Sequence, residues 1–398
     1  MERDSYETAV TSHWPGGFDE AGLQAWAEGL RRGLAAPSIT LGLVFLAPRF
    51  FPMAAQVLEI LRVHARIPLL VGCSSATLIA GGREIEEHAG IVLGLYHLPG
   101  GELKAVHLRQ AQVEEANGPG YWHHETGVSP EQTHGWLVFA DPFHLDGEAW
   151  LHGWNEAYPG VPAVGGLASG APAEPRTQIY LNGDVFEEGV IAVSVGGAVQ
   201  LAGVVSQGCT PIGQPWTITR AEGNLIQQIG NRPAYQVLVD TFNSLSKDQQ
   251  RRVQGNLFVG LVVNEYLDDF HRGDFLVRNL LGFDPKSGIL AVGARPRAGQ
   301  SVQFQTRDAE AATEDMTELL ERAKATAGTN RVLGGCLCCC NGRGSGLFGK
   351  PDHDAALAQE HLGPLPLTGF FCNGEIGPVG DRNFLHGYTA SLALFLTK

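Results

Sequence analysis

Five residues in the last quarter of the chain have the types and spacing for chemistry: Cys340, Arg343, Cys372, Asn373 and Glu375. Cys340 closes a strand of small residues, Cys336 to Cys340, that runs into a Gly-rich loop from Asn341 to Gly349. A helix is expected from roughly Asp352 to His361. A second apolar strand, Leu365 to Phe371, opens into a loop from Cys372 to Gly380. Strand, helix, strand implies adjacent parallel strands whose loops leave from one sheet edge, where open α/β sheets hold ligands. There Arg343 could grip a carboxylate through two parallel N–H bonds. Gly342, Gly344 and Gly346 would let backbone N–H groups approach an anion. Glu375 could receive an amino group. Opposite charges at the two ends of a cleft suit a zwitterion such as an amino acid. The competing reading of the same pair is a salt bridge that ties the two loops together.

The thiols admit several roles. A cation three residues away favours the Cys340 thiolate, yet cysteine also serves as a small buried hydrophobe. No motif supplies a general base, so no catalytic residue is assigned. The spacing C-x-C-C-C over 336–340 splits the thiols between the two faces of a strand. It lacks the paired knuckles of structural zinc, and no metal site is expected. Cys73 and Ser74 follow another strand, and Ser169 sits in GGLASG. Neither context is G-x-S-x-G, so these residues are read as pocket-lining candidates. His123, His124 and Glu125 fall in a stretch read as a polar loop. His386 in LHGYT is placed within reach of the Glu375 loop. No G-x-G-x-x-G after a strand and no Walker loop is present, so no nucleotide or other cofactor is expected.

The elements that position these residues repeat. Trp136 to Ala140 matches Gly42 to Leu46, and Phe45 to Pro68 and Phe139 to Pro162 are both separated by 23 positions. In each copy a Gly four residues after the Pro, Gly72 or Gly166, opens a Ser-containing loop. A third version runs from Cys339 to Pro366, with Gly369 following. One β-loop-α-β unit is thus used three times, at a period of about 90 residues. Strand Ala89 to Tyr96 is paired with Lys104 to Leu108 as a hairpin, and Gly189 to Val195 with Gln200 to Ser206 across Gly196-Gly197. Residues 1–17 read as a poorly anchored leader.

With 398 residues, 44 % hydrophobic and 18 % charged, the chain suits two packed domains. A net charge of −14 without Lys/Arg blocks excludes a nucleic-acid surface. No apolar run reaches membrane-spanning length, and no signal pattern opens the chain. Seven cysteines in a poor disulfide pattern point to reduced thiols and a cytoplasmic setting.

CNGRG followed by a helix, then PLTGFFCNGEIGP and LHGYT, resembles the C-terminal half of FIST domains. PLLVGCSSATLIA, Pro68 to Ala80, resembles their N-terminal half, and Asn231-Arg-Pro-Ala-Tyr resembles the usual opening of the second half. The resemblance spans roughly residues 38 to 393. It implies an N-terminal-like domain over 18–228, a C-terminal-like domain over 229–398, and a sensory, ligand-binding module for small molecules such as amino acids. The resulting expectation is an α/β protein of two halves, each a mixed sheet with flanking helices. It binds a small-molecule ligand near Cys340, Asn341, Arg343, Cys372, Asn373 and Glu375, and signals through a separate signalling protein. An enzyme using Cys340 or Ser74 as nucleophile and a protein-interaction scaffold stand as alternatives. Room for an F-box before residue 38 is lacking, and an oligomer is left open.

Overall fold

The computed structural model describes residues 8–170 and 175–398. Two compact units form. One holds the described residues up to Val205 together with Leu320–Lys398; the other holds Ser206–Leu319. The first unit thus draws on both ends of the chain.

The first unit contains the three repeats, each as a parallel strand pair in its own six-stranded mixed sheet. Leu41–Leu46 lies parallel to Leu70–Ser74, Trp136–Ala140 to Ala163–Leu167, and Val332–Cys340 to Leu367–Cys372. Each strand is a buried run, broken only at the two ends of Val332–Cys340, as strands covered on both faces must be. Helices Ala54–His64, Gly147–Ala157 and His353–Leu362 make the crossovers. One glycine per repeat lets the second strand approach the first. A Cβ on Gly72 would lie 1.7 Å from the Val44 carbonyl oxygen, one on Gly165 1.8 Å from Val138, and one on Gly369 2.0 Å from Leu337. The counterpart of Gly72 is thus Gly165, not the Gly166 suggested by distance from the proline.

After each parallel pair comes a short hairpin, and each hairpin joins a different repeat's sheet. Leu78–Ala80, from the first repeat, pairs with Thr368–Phe370 of the third. Ile179–Leu181, from the second, pairs with Val71–Cys73 of the first. Glu375–Val379, from the third, pairs at Glu375 and Ile376 with Gly166 and Gly165 of the second. This cyclic exchange interlocks the repeats. At its centre the rings of Phe45, Phe139 and Phe370 pack together, with centroids 4.7–5.9 Å apart.

Several local expectations change for the same reason. The strands read as sequential hairpins separate: Gly101–Leu108 pairs with Val190–Gly197, while Val199–Ser206 lies beside the last strand, Ala390–Thr397. The leader is not loose where it is described, since Ala9–Trp14 pairs antiparallel with Ile91–Tyr96; residues 1–7 lie outside the described residues. His123 and His124 stand on a helix, Pro119–Thr126, not in a loop. No helix is long and apolar enough to cross a membrane among the described residues.

In the second unit, six antiparallel strands close a ring: Cys209–Glu222, Ser301–Arg307, Leu257–Val262, Phe275–Asp284, Ile289–Val292 and Leu225–Ile229. Ile212, Ile218, Val259, Leu261, Leu290 and Phe304 fill its core, and helix Ala234–Ser244 adds Ala234, Val237 and Leu238.

Candidate functional site

The strand ends of the third repeat carry the candidate site. Cys340 and Cys372 are register partners at the ends of the parallel pair. The backbone N–H of Asn341 donates to the Cys372 carbonyl at 3.1 Å, and that of Cys340 to the Thr389 carbonyl at 2.9 Å. The expected second loop is only a two-residue turn, Asn373–Gly374. Beyond it Glu375 begins a strand, where pairing with Gly166 on one side and His386 on the other encloses it completely.

Glu375 is the hub of a buried network. Its Oε2 accepts the Thr389 N–H at 2.9 Å, and its Oε1 accepts the Cys372 thiol at 3.2 Å. Cys340 also hydrogen-bonds this carboxyl. Burial pushes Glu375 up to about 8, from an ordinary 4.5, so it is largely protonated at neutral pH. Burial likewise pushes the Cys372 thiol up, and the neighbouring Glu375 adds to the effect.

Arg343 is engaged elsewhere than expected. Its Nε donates to Asp354 Oδ2 at 2.6 Å and its Nη2 to Oδ1 at 2.8 Å. Both side chains are fully enclosed. The guanidinium lies over the Phe348 ring, and Nη1 reaches the Tyr388 carbonyl at 3.4 Å. Neither the expected open carboxylate clamp nor the Arg343–Glu375 salt bridge is the arrangement found. A carboxylate on the following helix takes the fork. Burial draws the Asp354 carboxyl upward, but the charge and hydrogen bonds of Arg343 outweigh it and hold it well below the ordinary range. His353 Nδ1 lies 3.0 Å from Asp354 Oδ1.

The exchanged hairpin of the first repeat completes this region. Glu84 Oε1 accepts the Asp354 and Ala355 N–H groups at 2.8 and 3.0 Å, capping the helix His353–Leu362. Among the described residues its Oε2 has no hydrogen-bond partner. Burial, reinforced by the Asp354 charge, raises the Glu84 carboxyl to about 7. Glu86 accepts the Ser345 N–H and hydroxyl at 2.9 and 2.6 Å, pinning a short helix, Gly344–Phe348, that stands where the sequence suggested a Gly-rich loop.

Exposed residues border this buried network on one side. Cys340 is half-buried, while Asn341, Gly342, Asn373, Gly387 and Tyr388 are exposed. Asn341 Nδ2 donates to Asn373 Oδ1 at 2.8 Å. Asn373 also reaches the second repeat, Nδ2 to the Ala168 carbonyl at 3.1 Å and N to the Leu167 carbonyl at 3.1 Å. A Cβ on Gly342 would come within 3.1 Å of the Tyr388 ring, so glycine lets that loop lie flat against it.

The remaining candidates lie deeper. Ser74 Oγ donates to the Ser169 carbonyl at 2.8 Å, and Ser169 Oγ to the Phe371 carbonyl at 2.7 Å, with Ser75 Oγ 3.1 Å away. All three serines are buried, so their hydroxyls tie the three repeats together where the strand ends converge. Cys73 is enclosed in the core opposite Ile179. His386 pairs with Glu375 and its Nε2 lies 3.0 Å from the Gly377 carbonyl oxygen. Among the described residues no group of His, Cys, Asp and Glu is arranged to hold a metal. Asp354, Glu84 and Tyr388 escaped the sequence reading. Only Asp354 left a trace, as an acid in the first turn of a predicted helix; Glu84 comes from a hairpin some 270 positions earlier in the chain.

The FIST N domain matches residues 40–232 and the FIST C domain residues 234–378. An uncharacterised protein of Mycobacterium bovis is 38 % identical over 86 % of this chain and 87 % of its own length. An uncharacterised protein of Mycobacterium tuberculosis is 36 % identical over 92 % of this chain and 94 % of its own. Among solved structures, a cyanuric acid hydrolase from A. caulinodans is similar over 98 % of this chain and 99 % of its own, with a TM-score of 0.38 and 11 % identity. Matched by both domains across most of its length, the chain belongs to the FIST family, whose domains are small-ligand-sensing signalling domains.

Proposed function

We propose that this protein senses a small polar molecule at the mouth formed by Cys340, Asn341, Asn373 and Tyr388, and signals through a separate protein. The observation that carries this reading is Asn373. It is exposed, it hydrogen-bonds Asn341 across the mouth, and it holds the second repeat by two backbone carbonyls. A ligand that replaces the Asn341 amide as its partner pulls on a turn anchored to another repeat. Differential contact of this kind is what lets a ligand bias one arrangement over another. Amino acids are the class to test first. Their recognition rests on the amides of Asn341 and Asn373 and the Tyr388 ring, since Arg343 is matched by Asp354 and Glu375 is enclosed.

Isothermal titration against a panel of amino acids and their amides tests the reading. Saturable heat for at least one compound, weakened roughly tenfold or more by Asn373→Ala (about 1.4 kcal/mol), is expected. No heat from any compound with folded protein, or binding indifferent to Asn373→Ala and Asn341→Ala, contradicts it.

A further inference from the structure

We propose that Cys340 and Cys372 form a redox-modification site, a dithiol that oxidises to a disulfide linking the two strand ends beneath the mouth. The two residues face each other in register on neighbouring parallel strands. Adjacent strands lie about 4.8 Å apart, within the Cα separation of about 4.4–6.8 Å that a disulfide spans. Residues in register on one sheet project to the same face, and here both thiols converge on one carboxyl, that of Glu375.

Access and activation fall on the same sulfur. Six of the seven cysteines are buried, and Cys340 alone reaches solvent. The Gly342 N–H points at Cys340 Sγ at 3.4 Å, a donor suited to negative charge on sulfur. Attack therefore starts at Cys340, and Cys372 resolves it. With a diazenedicarboxamide oxidant, the Cys340 thiolate adds to the N=N bond and a proton goes to the other nitrogen. The Cys372 sulfur then displaces the reduced hydrazine, giving up its own proton. Two S–H bonds are lost, one S–S bond forms, and the oxidant gains two electrons and two protons. With hydrogen peroxide the same two electrons and protons convert one peroxide to two waters. Within the protein, the bond removes both thiol donors from Glu375, whose other oxygen holds the Thr389 N–H. The inference does not depend on a ligand at the mouth.

The test treats the full-length folded protein with diamide, blocks remaining thiols with N-ethylmaleimide and reads intact mass and a peptide map. The expected result is loss of two hydrogens with a single crosslinked peptide joining Cys340 to Cys372. Cys340→Ser abolishes the loss. Cys372→Ser also abolishes it but leaves Cys340 open to mixed-disulfide formation with glutathione. Circular dichroism confirms that each variant is folded. The proposal is overturned if wild-type protein keeps both hydrogens while Cys340 is alkylated or glutathionylated, or if the crosslink joins any other pair.

Discussion

Arg343 and Asp354 meet through two parallel hydrogen bonds, 2.6 and 2.8 Å long, with neither side chain exposed. The fork fastens the start of the short helix Gly344–Phe348 to the helix behind it. It also removes from solvent the one guanidinium that the sequence offered to a ligand. Breaking a buried pair on one side strands the other charge. Asp354→Asn should therefore destabilise the protein by about 3–5 kcal/mol, measured by urea unfolding. Arg343→Met combined with Asp354→Leu should recover most of that loss. Equal loss in single and double variants would contradict the pairing.

Stability should fall as pH rises through the neutral range. Glu375 and Glu84 are raised in the folded state, to about 8 and about 7, above an ordinary 4.5. Groups raised in this way stabilise fully below 4.5, and the benefit is lost as pH climbs through the folded values. Asp354 has the opposite sign, being depressed, and its contribution is lost only in strong acid. Glu375→Gln, which mimics the protonated form, should flatten the slope between pH 5 and 8 by up to about 1.4 kcal/mol per pH unit. Denaturant midpoints across that range check this; an unchanged slope contradicts it.

The repeat glycines should be intolerant of any side chain. Gly165→Ala and Gly369→Ala each place a Cβ within 2.0 Å of a neighbouring strand's carbonyl oxygen, at 1.8 and 2.0 Å. Neither strand can yield without breaking its ladder, so a loss of roughly 3 kcal/mol or more is expected. Gly346→Ala, where nothing lies within 4 Å of the added atom, is the control and should be near neutral. Thermal unfolding of the three variants decides the matter.

The ring cluster joining the repeats should carry a large share of stability. Phe139→Ala removes a fully buried ring that touches both Phe45 and Phe370. A loss of about 3–5 kcal/mol is expected by urea unfolding. A loss below about 1 kcal/mol would mean that the three repeats do not share this core.

Much of the repeat was legible in the sequence. The matched spacing from Phe45 to Pro68 and from Phe139 to Pro162, with buried apolar runs at each end, fixes a strand–helix–strand unit. Cys340 and Cys372 fall together because parallel strands in register bring their ends together. Two things could not be read. The first is the exchange of hairpins: a local pattern announces a strand but not which of three similar sheets receives it. Glu84 reaches Asp354 only through that exchange. The second is Glu375. Gly374, Gly377, Pro378 and Gly380 carry turn chemistry, yet pairing with Gly166 and His386 makes a strand of Glu375–Val379. Tertiary pairing overrides such weak local preference, and a carboxylate expected at a pocket becomes a buried, protonated hub.

Ligand protection of Cys340 against iodoacetamide is the most direct measurement of the central claim. Its six buried companions serve as internal references. For any compound that binds by titration, labelling of Cys340 should slow in proportion to occupancy while the other cysteines stay unlabelled. A compound that saturates the protein yet leaves Cys340 labelling unchanged would place the binding site elsewhere and contradict the account.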